Sequence, residues 1–209
     1  MNDTHVSLTA ARAKTGKFGR AAMFLREYLR SPATIGAVAP SSPRLARLMA
    51  DLADVSRSRH ILEFGPGTGA FTRVILKAMP ADASVVLVEC NEHLCHVLRH
   101  RFPLVNVVHD TVENVGTILS QRGLGQADCI LCGLPWAAFD DDLQDRLLRA
   151  TLDALSPGGR FVTFTYIHSP LKPQGKRFRL RIHELFSEVQ ISPLVWQNLP
   201  PAFVYRCVK

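Results

Sequence analysis

Two acidic side chains beside a glycine-rich turn are the first residues whose types and spacing suit a ligand site. The turn, GPGTG at positions 65–69, follows an apolar run that predicts a β-strand. Glu63 lies on that strand, and Glu89 ends a second apolar run, twenty positions after Gly69. Glycines at alternate positions permit a tight turn and let a ligand approach the main chain. We therefore expect a ligand at the turn, with both carboxylates near it.

The class of ligand is narrowed by what the turn lacks. A phosphate-binding P-loop ends in Gly-Lys-Ser/Thr, whereas Gly69 is followed by Ala70 and Phe71. The dinucleotide fingerprint has a different glycine spacing, and Glu63 would repel a pyrophosphate. Its carboxylate can instead pair with the α-ammonium of an amino-acid moiety, or organise the turn through backbone N–H groups. Glu89 is placed to accept hydrogen bonds from a ribose diol, with a solvated strand end as the alternative.

Length and charge limit the remaining possibilities. The 209 residues, 47% of them hydrophobic, fit one α/β domain, and the formal charge of +7 favours nucleic acid or an anionic membrane as partner. No apolar run is long enough to span a bilayer, and charges interrupt the N-terminal region. We therefore expect a cytoplasmic protein, attached peripherally to the cytosolic face of the inner membrane. Five cysteines, an odd number without a matched ligand set, predict reduced thiols and no metal site.

The elements that must position these residues follow from the alternation of strand and helix patterns. Strands are predicted at 61–64, 85–88, 105–108, 128–132 and 160–166, with helical periodicity between them. Two final strands, around 188–196 and 202–208, predict an antiparallel hairpin. The expected fold is a doubly wound α/β sheet over residues 33–209.

The first 32 residues predict an N-terminal extension with a basic amphipathic helix. Apolar residues recur at helical spacing from 18 to 29, and Lys14, Lys17 and Arg20 lie beside that stripe. This composition is typical of a helix in the interface of an anionic bilayer. Packing of the stripe on its own domain is the alternative.

The stretch EFGPGTG at 63–69 resembles the first motif of class I S-adenosylmethionine-dependent methyltransferases. The resemblance implies S-adenosyl-L-methionine as cofactor, S-adenosyl-L-homocysteine as product and a Rossmann-like sheet. It also implies that an acid after the third strand, here Asp110, accepts from the adenine amine, although Asp110 can equally cap a short helix. Ser42 can donate to the cofactor carboxylate, with helix capping as the favoured alternative. The expected cofactor-binding residues are Ser42, Glu63, Gly65, Gly67, Gly69, Glu89, Cys90, Asp110, Thr111 and Gly133.

The exit of the fourth strand, GLPW at 133–136, is expected to meet the substrate, because open α/β sheets place reacting groups at this edge. It resembles the Asn-Leu-Pro-Tyr motif of adenine-N6 methyltransferases, but Gly133 replaces the asparagine that orients the target amine. This departure argues against a nucleic-acid base as substrate. Trp136 can offer an aromatic face to a cation, or it can belong to the core.

The whole chain from about residue 18 resembles bacterial phosphatidylethanolamine N-methyltransferases of the phospholipid N-methyltransferase type. The features that carry it include AVAPSS at 37–42 and NLPPAFVY at 198–205, beside the motifs above. The resemblance implies successive N-methylation of a phospholipid headgroup amine to phosphatidylcholine. The expected partner is an anionic membrane surface, and we expect a monomer when the protein is in solution. Methylation of another aminolipid such as ornithine lipid is one alternative. The other is an rRNA adenine-N6 dimethyltransferase, which would need the missing asparagine.

The remaining candidate residues follow the fifth strand. A headgroup ammonium must lose a proton before it can accept a methyl group, and Tyr166 and His168 are the candidates for that step. The stretch 167–181 carries five basic residues and no acid, and we interpret it as a basic patch at the catalytic edge of the sheet. Its side chains are expected to bind the lipid phosphate, with a plain solvated loop as the alternative. The expected substrate-contacting residues are Lys176, Arg177, Arg179 and Tyr205.

Overall fold

The computed structural model of the chain describes residues 41–209. The predicted N-terminal helix, with Lys14, Lys17 and Arg20, lies outside these residues, and its membrane contact stays a prediction.

Within residues 41–209, seven strands form one sheet and six α-helices cover it. The strands are β1 His60–Phe64, β2 Ser84–Glu89, β3 Asn106–His109, β4 Ala127–Cys132, β5 Leu155–Tyr166, β6 Glu188–Ile191 and β7 Ala202–Val208. The α-helices are α1 Pro43–Leu52, α2 Thr72–Ala78, α3 Glu92–Arg101, α4 Val115–Gln121, α5 Asp141–Ala154 and α6 Pro173–Leu185.

The sheet has the order β3-β2-β1-β4-β5-β7-β6. The first five strands pair in parallel, so their carboxyl ends meet at one edge of the sheet. Strand β7 pairs antiparallel with both β5 and β6, which is the predicted final hairpin. The Rossmann-like fold class with its antiparallel C-terminal hairpin is therefore confirmed.

Two buried layers sandwich the sheet because successive strand residues point to opposite faces. On β1, Leu62 and Phe64 pack in the cluster that also contains residues of α4, α5 and α6. The intervening Ile61 packs in the second cluster, with residues of α1, α2 and α3. Both faces of the parallel strands are covered, which leaves the carboxyl edge as the place for a ligand.

The basic stretch, for which a solvated loop was the alternative, forms most of helix α6. Pro173 occupies the first turn of this helix, where its missing N–H removes no hydrogen bond. Phe178 and Ile182, four residues apart, are buried against the core. Arg177 and Arg181 form ion pairs with Asp145 of α5, at 3.2 and 2.8 Å. The solvated-loop alternative is wrong for residues 173–181, because Phe178 and Ile182 anchor a helix to the core.

Candidate active site

The glycine-rich turn leaves β1 at the carboxyl edge and leads into α2. Gly65, Gly67 and Gly69 have positive φ angles of 62°, 57° and 83°, a region that favours glycine. The N–H of Gly65 donates to the carbonyl of Val88 at 3.0 Å, which ties the turn to β2. A Cβ on Gly69 would lie 2.4 Å from the ring of Phe102. The turn is therefore fixed at both ends and requires glycine.

Glu89 lies against this turn, as the sequence led us to expect. Its carboxylate accepts from the N–H of Gly67 at 3.1 Å and from the N–H of Asn91 at 3.0 Å. The side chain is almost fully buried, and burial raises the pKa of Glu89 above its ordinary value. A carboxylate oxygen has two lone pairs, so each oxygen can accept a further hydrogen bond from a hydroxyl. The position suits a ribose diol, and that role stays a prediction.

Glu63 is fully buried at the end of β1, beneath the turn. Its Oε2 accepts from the hydroxyl of Thr72 at 2.7 Å, at the start of α2. Among the described residues, its Oε1 has no hydrogen-bond partner, and burial raises the pKa of Glu63 to about 8. The contact with Thr72 supports the alternative in which Glu63 organises the turn. The unpaired oxygen fits the amino group of a bound amino-acid moiety.

A cleft beside the turn suits a flat, mainly apolar ring such as adenine. It is lined by Gly65, Val88, Cys90, Asp110, Thr111, Leu134 and residues of α5. The Oδ1 atom of Asp110 accepts from the N–H of Thr111 at 2.7 Å and from the Asn114 amide at 2.9 Å. Thr111, and not Asp110, is the N-cap of the short helix that follows, so the helix-capping alternative for Asp110 is wrong, while its place on the cleft agrees with the expected adenine contact.

Gly133 brings the exit of β4 against the turn after β1. Its N–H donates to the carbonyl of Phe64 at 2.8 Å. A Cβ on Gly133 would lie 2.7 Å from the carbonyl oxygen of Gly65, which is a backbone atom. An asparagine therefore cannot take this position unless the cofactor turn moves. Backbone packing therefore requires glycine at this position, which accounts for the departure from the adenine-N6 motif.

A second cavity lies between the ends of β4 and β5, next to Gly133. Its lining includes Pro135, Phe164, Tyr166 and Lys172. The rings of Tyr166 and His168 are nearly parallel, at 10°, with their centroids 5.8 Å apart. Burial raises the pKa of Tyr166 above its ordinary value. The phenol is therefore protonated at neutral pH, so Tyr166 is suited to hydrogen bonding and not to removing a proton.

Two predicted site residues belong to the core. The indole of Trp136 is buried, stacks on Phe178 with ring centroids 4.6 Å apart, and donates to the hydroxyl of Thr163 at 3.2 Å. Tyr205 is also buried and contacts the edges of Phe178 and Phe203. Burial supports the core alternative for Trp136, which also belongs to the lining of the cavity between β4 and β5. Tyr205 is covered by α6, so its expected contact with substrate gains no support.

The other predicted contacts divide into paired and exposed residues. The hydroxyl of Ser42 accepts from the N–H of Leu45 at 3.2 Å, which is the capping role that we favoured. Arg177 is engaged by Asp141 and Asp145, so its assignment to a lipid phosphate is not supported. Lys176 and Arg179 are exposed on α6.

Sequence reasoning missed two residues of the site. Thr72, which holds Glu63, has no motif around it and only begins a helix. Lys172 lies on the second cavity, yet in the sequence it is one of several basic residues in a row. Its position in the segment that follows the end of β5 was the one available signal.

Within residues 41–209, no helix has the length and hydropathy needed to cross a bilayer, and no cluster of histidine, cysteine or acidic side chains could hold a metal ion.

The comparisons with known proteins agree with this site. A family model described as a methyltransferase domain matches residues 61–159. An ornithine lipid N-methyltransferase from Singulisphaera acidiphila is 32% identical over 188 residues, which cover 88% of this chain and 94% of the relative.

Solved structures show the same fold at lower identity. An O-methyltransferase from Bacillus cereus in complex with S-adenosylhomocysteine has a TM-score of 0.64 and 16% identity, over 90% of this chain and 91% of that one. The O-methyltransferase TomG from Streptomyces achromogenes, in complex with S-adenosylmethionine, has a TM-score of 0.64 and 18% identity, over 92% and 89%. The chain therefore belongs to the class I S-adenosylmethionine-dependent methyltransferases, and S-adenosylmethionine is its cofactor.

Proposed function

We propose that the protein methylates the terminal amine of an aminolipid, and that ornithine lipid is the preferred substrate. The observation that carries the proposal is the 32% identity to an ornithine lipid N-methyltransferase along 88% of the chain. The sequence motifs alone led us to expect phosphatidylethanolamine, with ornithine lipid as an alternative. The relative gives the alternative more support than the first expectation.

The two lipids present related chemistry to an enzyme. Each carries a primary amine, an anionic group and acyl chains, and the anionic group is a carboxylate in ornithine lipid and a phosphate in phosphatidylethanolamine. The ammonium of Lys172, on the cavity beside Gly133, suits either anion. The two headgroups carry the same charges but differ in the spacing between amine and anion, so headgroup length is the feature that would distinguish the two lipids at this cavity.

Alignment is the main contribution that such a reaction needs from the protein. The bound cofactor supplies a methyl group on a sulfonium, which an uncharged amine nitrogen takes by in-line displacement. Glu89 and the glycine turn would hold its ribose, and the cleft with Asp110 its adenine. The hydroxyl of Tyr166 can accept a hydrogen bond from the amine and so orient the nitrogen lone pair.

The headgroup ammonium must give up a proton before its nitrogen can attack the methyl group. Tyr166 remains a neutral phenol, so this step falls to His168, beside it at the end of β5. Histidine is the residue type that exchanges protons near neutral pH. We assign His168 as the general base and Tyr166 as an orienting residue.

Gly133 disfavours the alternative function, that of an rRNA adenine-N6 dimethyltransferase. The asparagine amide that orients a base amine in those enzymes has no room here, because a Cβ would lie 2.7 Å from the carbonyl oxygen of Gly65. We accordingly propose that the positive charge serves an anionic membrane surface and not RNA.

The proposal is tested by the lipids of a host that makes both phosphatidylethanolamine and ornithine lipid. Expression of the protein should produce N-methylated ornithine lipid, seen by thin-layer separation and mass spectrometry. The matched control is Glu89→Gln, which keeps the size of a side chain on the cofactor turn but removes its charge. Methylated phosphatidylethanolamine without methylated ornithine lipid would reverse the preference, and unmethylated lipids throughout would refute the proposal.

A further inference from the structure

Two loops at the carboxyl edge of the sheet expose large apolar side chains. The turn after β5 carries Ile167 and Leu171, which are 44% and 77% exposed. The loop between β6 and β7 carries Trp196 and Leu199, which are 68% and 70% exposed. We call these four residues the apolar rim. Several large apolar side chains exposed at the same edge of a sheet are typical of an interaction site.

The two loops lie side by side. The N–H of Ile167 donates to the carbonyl of Pro201 at 2.9 Å. Ala202 is opposite Tyr166 in the β5–β7 ladder and also forms a bridge with Val195, which closes the second loop. The apolar rim is therefore next to the cavity that contains Tyr166.

Hydrogen bonds fix the conformation of the second loop, between β6 and β7. Asn198 is buried at its centre, and its Oδ1 accepts from the N–H of Ser42 at 2.9 Å. Its Nδ2 donates to the carbonyl of Pro200 at 2.8 Å. Because Asn198 fixes the loop against the start of α1, Trp196 and Leu199 on either side of it are left exposed to solvent.

The charge around the apolar rim is positive. Residues 167–181 and 189–209 contain no aspartate or glutamate. Lys172, Lys176 and Arg179 are exposed beside the first loop. The acids that face α6 from α5, Asp141 and Asp145, are paired with arginines of α6. An apolar surface with a cationic border is complementary to the headgroup region of an anionic bilayer.

We propose that the apolar rim enters the interface of an anionic bilayer and so presents the Tyr166 cavity to the lipid headgroup. A tryptophan beside exposed leucines suits this depth, because its ring is amphipathic. The inference rests on the proposed function, since the lipid amine then reaches His168 and Tyr166 without the lipid leaving the membrane.

Tryptophan fluorescence tests the proposal directly, because the chain has two tryptophans and the other, Trp136, is buried. Full-length protein is mixed with anionic vesicles that carry lipids brominated on the acyl chains. Trp196 should be quenched, and the quenching should be absent in Trp196→Phe. The double variant Leu171→Ser/Leu199→Ser should partition into the vesicles roughly 10-fold or more weakly.

The matched control is Leu104→Ser. Leu104 is fully exposed but precedes β3, at the opposite edge of the sheet, so its change should leave partitioning unaltered. Vesicle binding without quenching of Trp196 would overturn the proposal and assign the contact to another segment. Loss of a dimer in the double variant without lipid, seen by sedimentation velocity, would assign the apolar rim to a second copy of the chain.

A water-soluble ornithine derivative separates this proposal from the proposed function. The double variant should methylate the soluble amine at the wild-type rate, because the apolar rim does not touch the reacting atoms. If the wild type leaves both lipid and soluble amines unmethylated while Trp196 is still quenched, the proposed function fails and the membrane surface stands.

Discussion

The buried carboxyl of Glu63 predicts an unusual dependence of stability on pH, which the variant Glu63→Gln isolates. Burial raises the pKa of Glu63 in the folded protein from 4.5 to about 8. Folding therefore favours the protonated form. The stabilising effect is complete below pH 4.5 and is lost as the pH rises through about 8, because ionisation then occurs against the buried environment.

The size of the effect follows from the two pKa values. Each pKa unit corresponds to about 1.4 kcal/mol, so the free energy of unfolding should fall by up to about 5 kcal/mol through this group. Glutamine is neutral at every pH, and its amide oxygen can still accept from Thr72. The free energy of unfolding of the wild type, minus that of Glu63→Gln, should therefore decline steadily from pH 5 to 8.

The assay is urea denaturation of both proteins at half-unit pH steps. The other titrating groups are common to both proteins, so the difference reports Glu63 together with its charge repulsion with Glu89. A difference that stays constant from pH 5 to 8.5 would refute the placement of Glu63 as an unpaired buried acid.

Four further predictions concern the site. Glu89→Gln should weaken S-adenosylmethionine binding roughly 10-fold or more in calorimetry, because charge-assisted hydrogen bonds contribute about 1.5–3 kcal/mol, and unchanged affinity would contradict the ribose assignment. Gly133→Ala should lower the free energy of unfolding by about 1–3 kcal/mol, because the new Cβ meets the Gly65 carbonyl oxygen; Gly116→Ala, where a Cβ meets nothing within 4 Å among the described residues, should not destabilise the protein. His168→Gln should reduce kcat about 100-fold at pH 7 with cofactor affinity intact, and the loss should shrink as rising pH deprotonates the amine. Lys172→Ala should raise the KM for a water-soluble ornithine derivative about 3- to 10-fold, whereas Lys176→Ala, away from the cavity, should not; equal effects would remove Lys172 from the headgroup site.

The sequence was informative where local rules decide the structure. Glycines at 65, 67 and 69 can adopt positive φ, and an acid at the end of β2 must lie near the turn after β1 in a parallel sheet. The fold class followed from the same alternation of elements. The glycine at 133 marked a departure from the adenine-N6 motif, but the contact with Gly65 that requires it is visible only in three dimensions.

Tertiary neighbours decided the rest. Nothing near Arg177 in the sequence shows that Asp145, on the preceding helix, forms an ion pair with it. The helical conformation of the basic stretch likewise depends on its packing against other elements. The burial of Trp136 and Tyr205 depends on that same helix packing over the sheet. An aromatic residue at the end of a strand can belong to the core or line a site. Its packing partner, here Phe178, decides between the two.

The central claim is that an aminolipid amine accepts the methyl group and that ornithine lipid is preferred. The most direct measurement offers ornithine lipid and phosphatidylethanolamine together, in equal amounts in one anionic vesicle, to purified protein with S-adenosylmethionine labelled on its methyl group. The label should enter ornithine lipid, as products with one or more added methyl groups, well before it enters phosphatidylethanolamine. Label that enters phosphatidylethanolamine first, or neither lipid, would contradict the claim.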